Sequence, residues 1–285
     1  MKLTQLLQAH QQQLVVTPAH ERWLILNPNA EYSQEAKDFL AEQIGKPDRV
    51  RTNSFSPSSA GTCLRRRQFE YLGLPRRPFR TSTIQILHNG TWTHLRWQAA
   101  GLSAGWLDQA EVPVEYPKLM MKGTMDGRLI NGQGLEVKSI NSNGFRRVMK
   151  YGPKREHLHQ VTSYSIASGI TDWVVLYEDK DTNEYREFLF TPDQAGLDQV
   201  RAEYEKLVGA TIHSQLIEMK DECWAKQGSE YLQCPFRDVC PLQQTWDQAC
   251  ESSEQVTTPA LPSGSTNEVS SSRLRVRPTS SFPSE

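Results

Sequence analysis

The feature of this sequence that most limits its fold is a change in hydrophobic spacing at residue 109. Before that point, apolar residues recur at helical intervals. After it come three short runs of alternating or β-rich composition, separated by glycine, asparagine and proline, at 109–116, 122–130 and 134–140. A period of two with turn residues at the boundaries is typical of strands joined by short turns. We therefore predict a three-strand meander in the middle of the chain.

Helical patterns flank this meander on both sides. On the N-terminal side we predict two amphipathic helices within 1–46, a helix from Ser56 to Tyr71 and a longer one over 81–100. Ser33 opens the second helix and Gly45 closes it, because serine caps helix starts and glycine favours helix ends. On the C-terminal side we predict helices at 156–168 and 193–221 and a strand hairpin of 172–178 and 184–190. This order predicts an α/β fold with a mixed central sheet flanked by helices.

Length and composition predict three parts. The chain has 285 residues, enough to bury a full core. We predict a helical N-terminal extension at 1–50 and a globular domain at 51–250. Residues 251–285 are rich in serine, threonine and proline, with almost no aromatic residues. Because such a segment cannot bury enough apolar surface to offset its ordering entropy, we predict a disordered C-terminal tail.

Charge and cysteine content narrow the functional classes. The chain has 32 Lys and Arg against 33 Asp and Glu, so any electrostatic footprint for nucleic acid must be local. It has neither the roughly 18 consecutive apolar residues of a membrane span nor the apolar stretch of a secretory signal. We expect a cytoplasmic protein, or one in the host-cell cytoplasm if viral, with no membrane partner. There, the five cysteines favour metal ligation or simple thiols over disulfides.

Two carboxylates and a lysine fall on adjacent predicted strands. Asp126 lies at the end of one strand, and Glu136 and Lys138 lie on the next. Since side chains alternate along a strand, Glu136 and Lys138 share a face, and a suitable register brings Asp126 to it. Hydrolysis of a phosphodiester needs carboxylate oxygens for Mg²⁺ or Mn²⁺ and a cation near the attacking water. These three residues are therefore our candidate catalytic centre.

The sequence around this centre resembles the PD-(D/E)xK nuclease superfamily, in its RecB-like exonuclease and CRISPR-associated iron-sulfur nuclease branch. The resemblance covers residues 54–241 and rests on four motifs in order: Gly90-Thr-Trp-Thr-His94, Gly123-Thr-Met-Asp126, Glu136-Val-Lys138 and Gln160-Val-Thr-Ser-Tyr164. It implies a restriction-endonuclease-like core. It also implies that the metal is held by His94, Asp126, Glu136 and the Val137 carbonyl, that Lys138 acts on the water, and that Gln160 and Tyr164 orient the strand.

The cysteines are similar to those of the iron-sulfur branch. Cys63 lies before the nuclease core, and Cys234 and Cys240 lie after it with the family's spacing. The resemblance implies a [4Fe-4S] cluster on four thiolates. The fourth ligand is less well matched, because Cys223 is further from Cys234 than in the family; we predict Cys223, with Cys250 as the alternative. Zn²⁺ accepts the same four ligands and stays open.

Two basic groups flank the candidate centre in sequence. They are Arg65, Arg66, Arg67, Arg76, Arg77 and Arg80, and then Arg146, Arg147, Lys150, Lys154 and Arg155. Such groups can bind the backbone phosphates of a nucleic acid without recognising its base sequence. They are also compatible with solvated surfaces.

The sequence thus predicts a Mg²⁺- or Mn²⁺-dependent DNA exonuclease that acts on linear ends in recombination, repair or phage-type DNA metabolism. Recombination or replication proteins are possible partners. A DNA endonuclease on the same fold, or a nonenzymatic iron-sulfur or zinc DNA-binding module, are the alternatives.

Overall fold

A computed structural model describes residues 14–46 and 53–254. Within them the chain forms one five-stranded sheet, with its strands in sequence order: β1 Leu107–Tyr116, β2 Met121–Leu129, β3 Gly134–Ile140, β4 Trp173–Asp179 and β5 Tyr185–Phe190. Neighbouring strands are antiparallel, except that β3 and β4 are parallel. The predicted meander, hairpin and mixed sheet are confirmed.

Helices cover both faces of the sheet. In chain order they are α1 Val16–Leu26, α2 Gln34–Ile44, α3 Leu64–Leu72, α4 Thr81–Ala104, α5 Ser142–Tyr151, α6 Arg155–Ser168, α7 Gln194–Ile212, α8 Asp221–Trp224, α9 Ser229–Gln233 and α10 Trp246–Glu254. One core layer packs α1 and α4 against the sheet through Val16 and Trp97. The opposite layer packs α5 and α6 through Phe145, Val148 and Val161. The sheet is thus flanked by helices, as predicted.

The predicted helix from Ser56 to Tyr71 is wrong in its first half. Ser56 precedes a single 3₁₀ turn, Pro57–Ser59, and α3 begins only after Cys63. Between them Gly61 has φ +75°, and a Cβ there would lie 3.2 Å from the Cα of Glu156. The chain breaks here because this left-handed, tightly packed position favours glycine. The break lets the 57–62 segment pack against α6.

Two further boundaries differ from the prediction. The helix predicted to reach residue 221 ends at Ile212, and Ser214 turns the chain with φ +51°. Gln68 then captures the returning segment: its Oε1 accepts from Ile217 N at 2.7 Å. Helix α5 was not predicted, although Asn141 caps its start by accepting from Gly144 N at 2.8 Å.

The ends of the chain were predicted only in part. The second predicted N-terminal helix is confirmed as α2, whose start is capped by Ser33. Residues 251–254 belong to α10 and are helical, which corrects the predicted start of the disordered tail. Residues 1–13, the 50/51 boundary and the remainder of the tail lie outside the described residues. No helix in the described ranges is long and apolar enough to cross a bilayer.

Glu187 on β5 fastens the start of α1 to the sheet. Its side chain is fully buried, and its carboxylate accepts from Val15 N at 2.7 Å, from Thr17 N at 2.6 Å and from the Thr17 hydroxyl at 2.9 Å. A carboxylate at the N-terminus of a helix satisfies donors that have no partner within the helix and complements the helix dipole. This long-range cap fixes the start of α1 on the sheet.

We expect Glu187→Gln to lower the free energy of unfolding by about 2 kcal/mol. The amide oxygen is a weaker acceptor than the charged carboxylate, and the amide NH₂ group would face the N–H and O–H donors of Val15 and Thr17. Urea denaturation followed by circular dichroism measures this. Glu184→Gln, on the exposed turn before β5, is the matched control and should be close to neutral. Equal stability of both variants would show that the cap contributes little.

Candidate active site

The candidate site lies where β2 and β3 separate. Their register pairs Arg128 with Gly134 and Gly127 with Leu135, and Asp126 is the next residue along β2. There its Oδ2 accepts from Val137 N at 2.6 Å, in the position that a neighbouring strand's carbonyl would otherwise take. The side chain of Asp126 therefore takes the place of one backbone hydrogen bond between β2 and β3. It lies beside the backbone of Glu136, Val137 and Lys138.

Helix α4 supplies the next group. The Nδ1 of His94 lies 3.1 Å from Asp126 Oδ1. Burial lowers the pKa of His94, but the adjacent Asp126 carboxylate outweighs this, so the pKa is raised above its ordinary value. Burial in turn raises the pKa of Asp126, but His94, Lys138 and the Val137 N–H group together lower it. The pair is thus an ionised carboxylate held against an imidazole.

Glu136, Lys138 and Gln160 form a second set of contacts. Lys138 Nζ lies 2.5 Å from Glu136 Oε1 and donates to Gln160 Oε1 at 2.8 Å. Gln160 Nε2 donates to the same Glu136 oxygen at 2.7 Å. Each of the three groups is held by the other two, so Gln160, on α6, fixes both reactive side chains on β3. Gln160 thus lies beside Glu136 and Lys138, and its part in a reaction stays a prediction.

The other oxygen of Glu136 is the most informative atom of the site. Glu136 is 1% exposed, and its Oε2 has no hydrogen-bond partner among the described residues. Burial, opposed by Lys138 and aided by the Asp126 charge, raises the pKa of Glu136 to about 7. A buried polar atom without a partner needs a compensating group, and a bound cation would supply one while favouring the ionised carboxylate.

These residues fit a divalent metal by their chemistry. Carboxylate and carbonyl oxygens suit Mg²⁺ or Mn²⁺, whereas an imidazole nitrogen is a ligand that transition-metal ions accept more readily than Mg²⁺ does. In the described part of the chain, however, no three histidine, cysteine or carboxylate side chains converge closely enough to form a finished metal site. His94 and Asp126 instead contact each other. The unpartnered oxygen of Glu136 is therefore the structural observation in favour of a metal here.

Tyr164 occupies a different position from Gln160. It is 2% exposed, its hydroxyl donates to Thr124 O at 2.6 Å, and its ring stacks on Trp173. From its position in the core, Tyr164 therefore holds β2, the strand that carries Asp126. A direct contact with a substrate strand, as the motif implied, stays a prediction.

Two residues of this site were missed in the sequence. Gln98 is fully buried, and its Nε2 donates at 2.8 Å both to the backbone carbonyl of Asp126 and to Glu111 Oε1. Glu111, on β1, has φ +51°, a strained value for a residue other than glycine. Gln98 follows His94 by four residues and so shares its helix face, which was the available signal. No local sequence pattern pointed to Glu111, because its contact with Gln98 depends on the register of the strands.

We expect Gln160→Leu to reduce cleavage activity about 10- to 100-fold, the usual effect of removing a residue that orients a metal-binding carboxylate. The loss should appear mainly in kcat, because Gln160 positions Glu136 and Lys138. Steady-state kinetics on a defined DNA substrate would measure it, with Gln194→Leu on the exposed start of α7 as control. Unchanged kcat would remove Gln160 from the reaction centre.

A second cluster of chemically reactive side chains lies apart from this centre. A small cavity of about 30 Å³ is lined by residues that include Cys63, Cys223, Cys234 and Cys240. Cys250 lies on α10 and is not among the lining residues of this described cavity. Burial raises the pKa of the Cys234 and Cys240 thiols, whereas nearby arginines oppose that rise. The four cysteines that were predicted as ligands therefore line one cavity, but among the described residues no three of them converge closely enough to form a metal site.

Contacts between distant segments build this cavity. Arg65 on α3 donates to the backbone carbonyls of Ile217, at 2.7 Å, and Gln243. Phe69, one turn further along, meets Phe236 edge to face with ring centroids 5.5 Å apart. Two short helices, α8 and α9, carry the chain from Cys223 to Cys234. The segment after α7 is thereby fastened to α3.

Comparison with known proteins gives remote structural neighbours. No protein-family model matches the sequence, and no curated protein is significantly similar to it. The crystal structure of an alkaline exonuclease, LHK-Exo, from Laribacter hongkongensis superposes with a TM-score of 0.43 and 12% identity, over 56% of this chain and 89% of that one. The complex of LHK-Exo with dAMP gives 0.46 and 15%, over the same shares. The crystal structure of SSO0001 gives 0.44 and 18%, over 74% of this chain and 96% of that one.

Proposed function

We propose that this chain is a Mg²⁺- or Mn²⁺-dependent deoxyribonuclease with a PD-(D/E)xK core that degrades DNA from its ends. One observation carries the proposal. Asp126, Glu136 and Lys138 meet at the split between β2 and β3, and a buried oxygen of Glu136 there has no partner among the described residues. Two carboxylates and an ammonium group at one point suit hydrolysis of a phosphodiester.

The proposed mechanism assigns a task to each residue. Asp126, Glu136, His94 and the Val137 carbonyl would hold the metal, which when bound supplies a Lewis acid and a more acidic water. Lys138 donates hydrogen bonds to the attacking water or to a phosphate oxygen, and Gln160 keeps its ammonium group beside Glu136. As water attacks phosphorus, the bond to the leaving sugar oxygen breaks and that oxygen gains a proton. Hydrogen-bond donors fixed in a buried site stabilise the negative charge that develops on the reacting oxygens more strongly than the same donors would in water.

We further propose that Cys63, Cys223, Cys234 and Cys240 hold a [4Fe-4S] cluster, or alternatively Zn²⁺. The shared cavity supports this choice and favours Cys223 over Cys250 as the fourth ligand. The bound group would join α3 to the segment after α7, so its role would be structural. Action in recombination, repair or phage-type DNA metabolism, with recombination or replication proteins as partners, belongs to the same proposal.

The first experiment compares end-labelled linear DNA with closed circular DNA in the presence of Mg²⁺, Mn²⁺ or EDTA. We expect metal-dependent loss of linear DNA, with circles left intact and the Lys138→Ala variant inactive. Cutting of circles would favour an endonuclease. Protein that binds DNA but cleaves neither form under any metal condition would be a binding module, and the proposed enzyme activity would be wrong.

A further inference from the structure

A groove begins at the end of β3, next to the candidate active site. It has a volume of about 1340 Å³, including its open side, and runs between α5 and the start of α6. Its first lining residue is Asn141, which follows the last residue of β3, caps the start of α5 and lies three residues after Lys138 in the chain. Tyr177, the register partner of Lys138 on β4, links the two sites: its hydroxyl contacts His157 Nδ1 at 2.7 Å and accepts at 3.1 Å from the backbone N–H of Lys154, which lines the groove.

The lining of this groove is basic. Arg147, Lys154 and Arg155 line it against one acidic residue, Glu156. Arg155 is oriented by its Nε, which donates to His159 Nε2 at 3.2 Å. This local excess of positive charge stands out in a chain whose net charge is −1. It favours a polyanion as the occupant.

An exposed aromatic ring adds a second kind of contact. Tyr151, at the end of α5, lines the groove and is 71% exposed. The ammonium group of Lys150 lies 5.0 Å from the centre of its ring. α5 packs Phe145 and Val148 into the core, so the core holds the helix that presents Tyr151. An exposed ring beside fixed cations is the combination that binds unpaired bases along a charged backbone.

We propose that this groove, formed by Arg147, Tyr151, Lys154 and Arg155, binds an unpaired nucleic-acid strand next to the cleaved phosphate, with one base stacked on Tyr151. The inference rests on the proposed nuclease function and adds to it a binding site outside the reaction centre. Gln233 on α9 lines the opposite side of the groove and directly precedes Cys234. The cysteine segment therefore forms part of the groove wall.

Binding in EDTA tests the proposal without requiring cleavage. Fluorescence anisotropy would follow a labelled single-stranded oligonucleotide longer than the roughly 4–16 nucleotides that one such groove spans. We expect Tyr151→Ala to weaken binding about 5- to 150-fold, the effect of losing one base stack, and Tyr151→Phe to bind like wild type. A blunt duplex of the same sequence should not distinguish the two variants.

The contribution of the basic side chains is tested by the salt dependence of oligonucleotide binding. Arg147→Ala and Lys154→Ala should each reduce the slope of log affinity against log salt by about 0.7, as expected for one lost phosphate contact on a single strand. Lys206→Ala, on the exposed side of α7, is the matched control and should leave the slope unchanged. The proposal is overturned if the groove variants behave like this control, or if an acidic peptide binds there and the oligonucleotide does not. Because this test measures binding and not cleavage, its result would still be valid if the proposed nuclease activity were absent.

Discussion

Asp126→Asn should reduce DNA cleavage by about 10³-fold or more while leaving the fold intact. The asparagine carbonyl can still accept from Val137 N, which Asp126 Oδ2 does at 2.6 Å, so the split between β2 and β3 is preserved. What is lost is the negative charge that would hold a divalent cation and that now faces His94. A structural mutation would lower stability and activity together, whereas this one should separate them.

The measurement is single-turnover cleavage of end-labelled DNA at saturating Mg²⁺ and Mn²⁺, with thermal unfolding recorded on the same preparations. Asp108→Asn is the matched control: Asp108 lies on β1, is exposed and pairs with Arg128 at 2.7 Å. It should cleave like wild type, since surface ion pairs contribute little. A fully active Asp126→Asn variant would exclude this carboxylate from the reaction.

The second large effect concerns the cysteine cavity. Cys63→Ser and Cys223→Ser should each abolish stoichiometric iron or zinc, because each replaces one of the four thiols that line the cavity. Both variants should also unfold at lower temperature than wild type, since a group that binds only the folded chain stabilises it. Cys250→Ser, on α10, should retain the full metal content.

Anaerobic purification followed by elemental analysis and visible absorbance gives the result, and iron rather than zinc would identify the cluster. Metal lost in Cys250→Ser but kept in Cys223→Ser would reverse the choice of fourth ligand. Wild-type protein without iron or zinc would contradict a cysteine-bound group altogether.

The sequence predicted those parts of the site that depend on local geometry. Glu136 and Lys138 lie two residues apart on one strand, so alternation alone places them on one face. Gln160 was accessible only through a motif, because its contacts with both residues cross from α6 to β3. Glu111 was not accessible, since it meets Gln98 through the pairing of β1 with β2. The unpartnered oxygen of Glu136 likewise has no counterpart in the sequence.

Fold predictions failed where tertiary contacts override local preference. Ser56 and Pro57 are typical of a helix start, but close packing at Gly61 stops the helix after one 3₁₀ turn. The helical pattern after Ile212 is interrupted because the chain turns back to hydrogen-bond with Gln68 on α3. Helix α5 was missed although its sequence carried a signal: its buried residues, Phe145 and Val148, lie three apart, and Asn141 caps its start.

The cap that Glu187 places on α1 has a consequence for synthesis of the chain. The ribosome delivers α1 long before residue 187, so the backbone N–H groups of Val15 and Thr17 lack their acceptor while the central strands emerge. A helix of 11 residues is marginal on its own in water. α1 shares a core layer with α4, but its N-terminal donors gain their acceptor only when β5 has joined the edge of the sheet. The N-terminal end of α1 therefore becomes protected from proteolysis only after a residue 170 positions later in the chain has been synthesised.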